Sequence, residues 1–191
     1  WDNLLKNLED IRVPENPIDA IINAFGAEKV GEVTGRGRRF LQARDDHGNI
    51  KVVEEKRGKN ASDLDADAFQ NDEKPILIFS QAGGTGYSFQ SDLTKRNQRR
   101  RIHYILQPGW RADVALQGLG RTHRSNEANQ PHYVLPTTNL KAQKRFVSSI
   151  ARRLDQLGAL TRGQREAVGQ SMFTAADNLE NKYAENAIGN F

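Results

Sequence analysis

Gln117, Gly120, Arg121 and Arg124 stand together in the stretch QGLGRTHRSN, where a glutamine and two arginines recur at i, i+4 and i+7. Arginine suits phosphate because its planar fork donates several hydrogen bonds and keeps its charge. At 100° per residue the three side chains share one helical face, opposite an apolar stripe of Ala112, Ala115, Leu116 and Leu119. The spacing predicts a helix over about 111–122, anchored by its stripe, with the Gln/Arg face turned outward. Spacing alone leaves two readings of that face, a phosphate contact or a solvated basic surface.

Two further segments carry possible chemistry. SQAGGTGYS, residues 80–88, directly follows the apolar run PILIF. Open α/β sheets bind ligands at the carboxyl ends of their strands, and Gly83, Gly84 and Gly86 would let backbone N–H groups approach an anion. The alternative is a tight strand-to-helix connection. No Lys-Ser or Lys-Thr follows the glycines, so the loop is not a Walker A loop. KRNQRRR, residues 95–101, holds five basic side chains whose mutual repulsion predicts exposure. Such a run either tracks a nucleic-acid backbone or is a solvated loop. Two other signals point to no site. DEK, Asp72 to Lys74, is acidic but precedes its strand, whereas a metal-holding pair belongs at a strand's carboxyl end. TGRGRR, Thr34 to Arg39, lacks the following helix of a dinucleotide fingerprint, and its arginines could reach phosphate or solvent.

These segments need a scaffold of alternating elements. NPIDAIINAF places Pro17 in a first helical turn after Asn16, with Ile18, Ile21, Ile22 and Phe25 at helical spacing and Gly26 able to end the helix. EKVGEVTG reads as a strand and RRFLQARDDHGNIKVVEE as a hairpin turning at DHGN. ASDLDADAFQ is a short acidic helix. PILIFS and IHYILQP are apolar runs of the kind found in strands buried on both faces. HYVLPT is a further strand, and a helix over about 140–157 follows, with Leu140, Val147, Ile150, Leu154 and Leu157 along one side. Strands separated by helices imply a mainly parallel sheet with helices on both faces. Beyond Gly158 the chain is polar, and a helical C-terminal extension is expected over 159–191.

The totals set outer bounds. With 191 residues the chain holds one domain, or one domain and a tail. A net charge of +4 suits a phosphate-bearing partner without demanding one. The absence of cysteine excludes disulfides and thiolate metal sites, and the four histidines fall at no metal-ligand spacing. No apolar run approaches the roughly 18 residues of a membrane span, and no signal-peptide pattern is visible. A cytoplasmic location is expected. The start at Trp1 suggests a piece of something longer.

Taken in order, the pieces resemble the second RecA-like lobe of superfamily 2 helicases. SQAGGTGYS looks like their motif V, and QGLGRTHR matches the Q-x-x-G-R-x-x-R of motif VI. The wider wording is closer to the Strawberry notch-type helicases and their bacterial and phage relatives: NPIDAIINAFGAEKVGEVTGR, GRTHRSNEANQPHYV, KRFVSSIARRLDQLGALTRG and DNLENKYA. The resemblance runs from residue 14 to about 187. It implies a three-layer α/β/α RecA-like domain over residues 1–158, with a mainly parallel sheet and a β-hairpin insertion at about 38–56.

It further implies that this lobe lends arginine fingers to an ATP site on a separate N-terminal lobe of the same polypeptide. That lobe would hold the phosphate loop and the Mg2+ carboxylates, so this chain alone should bind no cofactor and hydrolyse no ATP. Arg124 and Arg121 match the motif VI arginines, with Arg124 the first choice for the finger. Gln117 would order the γ-phosphate or attacking water, and Gly120 completes the motif. Gly84, Thr85 and Gly86 would serve the nucleotide. Ser80, Gln81, Lys95, Arg96, Arg99 and Arg100 would serve nucleic acid, with DNA favoured over RNA. Tyr87 and Ser88 depart from the family pattern, where an aliphatic residue and an aspartate are usual, which argues against a direct ribose contact. A bacterial or phage source is expected. The alternatives are a RecA-like scaffold that has lost motor function and, with less support, a self-contained nucleotide-binding enzyme built on AGGTG.

Overall fold

The computed structural model describes residues 15–107, 109, 111–138, 140, 144 and 147–149. The chain divides into two compact units, Trp1–Thr85 and Gly86–Phe191.

The first unit opens with helix α1, Pro17–Phe25. Its start is set as the sequence predicts: Asn16 Oδ1 accepts the Ile18 amide at 2.9 Å, and Pro17 occupies the first turn, where its missing N–H costs nothing. Gly26 ends it at φ 93°, a backbone conformation that glycine adopts freely. Strand β1, Val30–Val33, is buried along its whole length and pairs in parallel with β4, Ile76–Phe79, from Val30↔Ile76 to Val33↔Phe79. Between them lie the hairpin β2, Arg38–Arg44, and β3, Ile50–Lys56, and then helix α2, Ala61–Gln70. The hairpin is antiparallel in register Arg38↔Lys56 to Arg44↔Ile50, as the DHGN turn requires. Asp45 closes that turn by accepting the amides of His47 and Asn49.

β1 carries a buried carboxylate, Glu32, in the middle of the core. Its charge is answered by Arg36 Nε at 2.7 Å, by Arg57 at 3.7 Å and by the Thr34 hydroxyl. Arg36 also meets Asp19 at 2.8 Å, while Asp65 on α2 binds Arg57 at 3.0 Å, Lys74 at 2.7 Å and the Glu32 amide at 3.0 Å. This network corrects the reading of TGRGRR. Arg36 and Arg39 are held in ion pairs, with Glu32 and Asp19 and with Glu55 respectively, whereas Arg38 pairs with Glu54 on the surface and stays exposed to solvent. Lys74 of DEK likewise serves the core, donating to the carbonyls of Ala27 and Val30 as well as to Asp65.

The second unit has strand β5, Ile102–Tyr104, helix α3, Ala112–Leu119, and strand β6, His132–Val134. β5 and β6 pair in parallel from Ile102↔His132 to Tyr104↔Val134. The fold class is therefore α/β, with parallel strand pairing in each unit and a hairpin in the first. The expectation that PILIF and IHYIL are buried on both faces does not hold. Among the described residues each strand pairs on one side only, β4 is half-buried throughout, and Ile102 and Tyr104 are exposed. The helix expected over 140–157 and the extension over 159–191 lie outside the described residues, apart from the few positions after 138 named above.

Candidate functional site

In the second unit, α3 presents Val114, Ala115, Leu116 and Leu119 half-buried and leaves Gln117 exposed, which fits an anchored helix with a polar outer face. The helix ends sooner than the spacing predicts. Gly120 is its C-cap, and Arg121 and Arg124 lie beyond it in a turn rather than on a shared helical face. The stop is local chemistry: Arg121 N–H bonds back to Gly118 and Thr122 N–H to Leu119, which tightens the last turn, and the chain then leaves the helical path. Gly120 itself is helical at φ −62°, and a Cβ there would meet only the Leu116 and Gln117 carbonyls at 3.4 and 3.7 Å. Packing does not demand a glycine there; its carbonyl does have a role, accepting Arg124 Nε at 3.1 Å.

Arg121 is fastened to the end of the glycine-rich stretch. Its guanidinium donates to the Tyr87 carbonyl at 3.0 Å, and its own carbonyl accepts the Phe89 amide at 2.7 Å. Tyr87 stacks on the fully buried Phe89 with ring centroids 5.9 Å apart. Tyr87 thus secures the turn of Arg121 through its backbone and its ring. The strap continues alongside the turn. Ser91 bonds Asn129 and Ala128, Leu93 N–H bonds the Asn126 carbonyl, and Asp92 accepts from Asn126 Nδ2 at 3.1 Å.

The electrostatics of Arg121 and Arg124 differ from those of the arginines in the first unit. Arg36, Arg38, Arg39 and Arg57 each pair with a carboxylate, whereas no carboxylate among the described residues lies within ion-pair distance of Arg121 or Arg124. Partial burial and the neighbouring positive charge of Arg124 together hold the Arg121 guanidinium below its ordinary range. Two cations that repel each other and have no carboxylate at ion-pair distance among the described residues suit a polyanion. The donors here, guanidinium and amide, fit a phosphate; no group of three His, Asp or Glu side chains among the described residues is placed to hold a metal ion.

The basic segment is only partly what its charge implies. Lys95, Arg96, Arg99 and Arg100 are exposed, as repulsion predicts. Arg101 is 5% exposed and is the organising group of the strap. It donates to the carbonyls of Phe89, Gln90, Asn97 and Arg99 and to Asn97 Oδ1, all between 2.8 and 3.1 Å. One buried guanidinium therefore ties the strap behind Tyr87 to the loop that displays the other basic side chains. Sequence reasoning missed this because a charge run reads as uniformly solvated; Arg101's place immediately before β5 was the available signal.

The first part of the glycine loop belongs to the first unit. Ser80 N–H bonds the Val33 carbonyl at 3.1 Å and its hydroxyl donates to the Thr34 carbonyl at 3.2 Å, so the loop is pinned to the end of β1. The Gly83 and Gly84 amides donate to Ser80, at 3.3 Å to its hydroxyl and 2.8 Å to its carbonyl. That corrects the expectation of amides open to an anion, since these two are spent within the loop. Gly83 is a glycine for steric reasons: a Cβ would sit 2.4 Å from the Val33 carbonyl oxygen and 2.5 Å from the Thr34 nitrogen. Thr85 bonds the Gln81 carbonyl, Gln81 is exposed, and Gly86 turns at φ 87°.

A strap locked to an arginine turn, with parallel strands behind it, can be compared with known proteins. The family described as the C-terminal domain on Strawberry notch homologue matches residues 16–191. This chain belongs to the Strawberry notch family of helicase C-terminal domains. It is 38% identical to Protein strawberry notch of Drosophila melanogaster and 39% identical to Protein strawberry notch homolog 1 of Homo sapiens, in each case over 98% of its length. It is 34% identical to Protein FORGETTER 1 of Arabidopsis thaliana over 97%. It spans only 12%, 13% and 15% of those proteins' own lengths. The α/β architecture is accordingly that of a RecA-like helicase C-terminal domain. The bacterial or phage type read from the sequence finds no support, because these relatives are animal and plant proteins.

Proposed function

We propose that this Strawberry notch-family domain is the second lobe of an ATP-dependent nucleic-acid motor and supplies arginine to an ATP site built on a partner lobe. The observation that carries the reading is the turn of Arg121 and Arg124, two guanidiniums that pair with no carboxylate among the described residues, anchored through Tyr87 and Phe89. In phosphoryl transfer there is little covalent work for the protein, and charge spreading over the γ-phosphate oxygens is stabilised by positioned cations. Arg124 is the finger. It rests on the neutral Gly120 carbonyl, so reaching a phosphate exchanges one neutral acceptor for a charged one. Arg121 stays nearer its strap and joins the nucleotide's state to the residues behind motif V. Exposed Gln117 is on the same helix end, one turn before Arg121, where it can order phosphate or water.

Supplying the finger from a second lobe makes hydrolysis depend on lobe closure, and the exposed Lys95, Arg96, Arg99 and Arg100 offer a backbone grip that closure can move. In the full-length protein, Arg124→Ala should lower the single-turnover hydrolysis rate by on the order of 10³–10⁵-fold. Nucleotide affinity should change far less. Wild-type turnover in that variant would remove Arg124 from the role and the motor reading with it.

A further inference from the structure

We propose that Glu127 is the positioning residue for Arg124: it fixes the backbone from which the arginine reaches, without neutralising the guanidinium. The inference rests on the reading of Arg124 as the phosphate-facing arginine.

Glu127 follows Arg124 by three residues, and its side chain is 11% exposed. One carboxylate oxygen accepts the Arg124 backbone amide at 3.3 Å, and the other meets His123 Nδ1 at 2.7 Å. A carboxylate only accepts, so Nδ1 carries the proton in this pair. The carboxylate therefore grips two consecutive residues of the finger turn, one by its main chain and one by its ring. The base of the grip is itself fixed. Glu127 bridges to Asp92, Asn126 turns at φ 68°, and Asn126 is held from both sides by Asp92 and Leu93.

A glutamate this close to an arginine ordinarily pairs with the guanidinium. Here no ion pair forms between Glu127 and Arg124, and the guanidinium lies on the Gly120 carbonyl instead. The distinction has a functional consequence. A paired guanidinium would meet a phosphate with its charge already answered, whereas this one keeps it. Two anchors thus divide the work: Glu127 fixes where the arm begins, and the Gly120 carbonyl fixes where it waits. Losing the first lets the Arg124 backbone drift, and about 1 Å of misplacement costs on the order of 10²-fold in rate.

The test uses the full-length protein, with single-turnover ATP hydrolysis and nucleotide affinity measured for Glu127→Ala, Glu127→Gln, Arg124→Ala and the Glu127→Ala/Arg124→Ala pair. Glu127→Ala should slow hydrolysis about 10–100-fold with affinity within about twofold. Glu127→Gln, which keeps an acceptor for the Arg124 amide, should recover most of the rate. In the Arg124→Ala background the Glu127 change should cost nothing more, because its effect passes through that side chain. Losses that multiply, or a wild-type rate in Glu127→Ala, would overturn the proposal. If Glu127→Ala does not fold, Glu127→Gln alone and combined with Arg124→Ala make the same comparison: a small loss that vanishes in the double variant supports it, and a multiplying loss overturns it. An Arg124→Ala protein at wild-type rate would instead overturn the motor reading, a separate result.

Discussion

At the scale of single residues, the same side-chain type does opposite work in the two units. Arg36 and Arg57 neutralise a buried carboxylate, and burying Glu32 would be prohibitive without them, since an isolated charge in the interior costs several kcal/mol even after relaxation. Arg121 and Arg124 have no such partners among the described residues and rest on backbone carbonyls instead. The buried network makes a prediction about acid. Burial alone would raise the Glu32 carboxyl, but hydrogen bonds from Arg36 and Thr34 and the charges of Arg57 and Arg36 outweigh it and hold it low. Asp65 is likewise raised by burial and lowered further by Lys74, the Glu32 amide and Arg57. Both groups are more acidic folded than unfolded, so their stabilisation is complete above the ordinary values of 4.5 and 3.8 and is lost as pH falls through the folded values. Burial pushes the His103 imidazole down to about 4, so the thermal unfolding midpoint should begin to fall below about 6.5 and should fall further below about 4.5, where Glu32 and Asp65 add their loss. Combining Glu32→Gln with Asp65→Asn should flatten that acid limb; an unchanged limb would show that other carboxylates govern it.

At the scale of elements, the legible features were those set by local rules. The α1 cap at Asn16 and Pro17 and the DHGN hairpin follow from patterns that neighbouring residues fix, and the parallel strand pairs follow from the alternation of strands and helices. What could not be read depended on which hydrogen bonds the backbone and buried side chains actually form. The end of α3 at Leu119 is set by hydrogen bonds that tighten its last turn, so helical spacing carried Arg121 and Arg124 one turn too far. Arg101 is buried because four carbonyls from elsewhere in the loop converge on it, which no charge count reveals. The glycine loop is instructive in the same way, because its glycines suggest an anion cradle while one of them answers to packing. Gly83→Ala should destabilise the protein by about 1–3 kcal/mol, since the methyl group must displace the β1 backbone rather than a flexible side chain. Gly86→Ala is the informative companion: nothing lies within 4 Å of its Cβ position, so only its positive φ is strained. Equal stability for Gly83→Ala and wild type in denaturant titration would contradict the close approach to Val33.

At the scale of the whole molecule, the net charge of +4 does not measure the basic surface available to a partner, because several arginines are committed inside. Arg36, Arg39, Arg57 and Arg101 are consumed by ion pairs or carbonyls, while Lys95, Arg96, Arg99 and Arg100 are displayed on one loop. If that loop grips a nucleic-acid backbone, its contribution must be salt-dependent, because each neutralised phosphate releases counterions. The slope of log K against log salt is about −0.9 per phosphate for duplex DNA and about −0.7 for a single strand. Replacing Arg96 and Arg100 with glutamine keeps polar, unbranched side chains and the Arg101 anchor while removing two charges. Fluorescence anisotropy of labelled DNA across a salt series should then give weaker binding at low salt and a slope shallower by roughly 1–2. Weakening with an unchanged slope would mean that these arginines shape the loop without touching phosphate. An unchanged affinity and slope would reduce the segment to a solvated loop, leaving any nucleic-acid contact to be sought elsewhere on the protein.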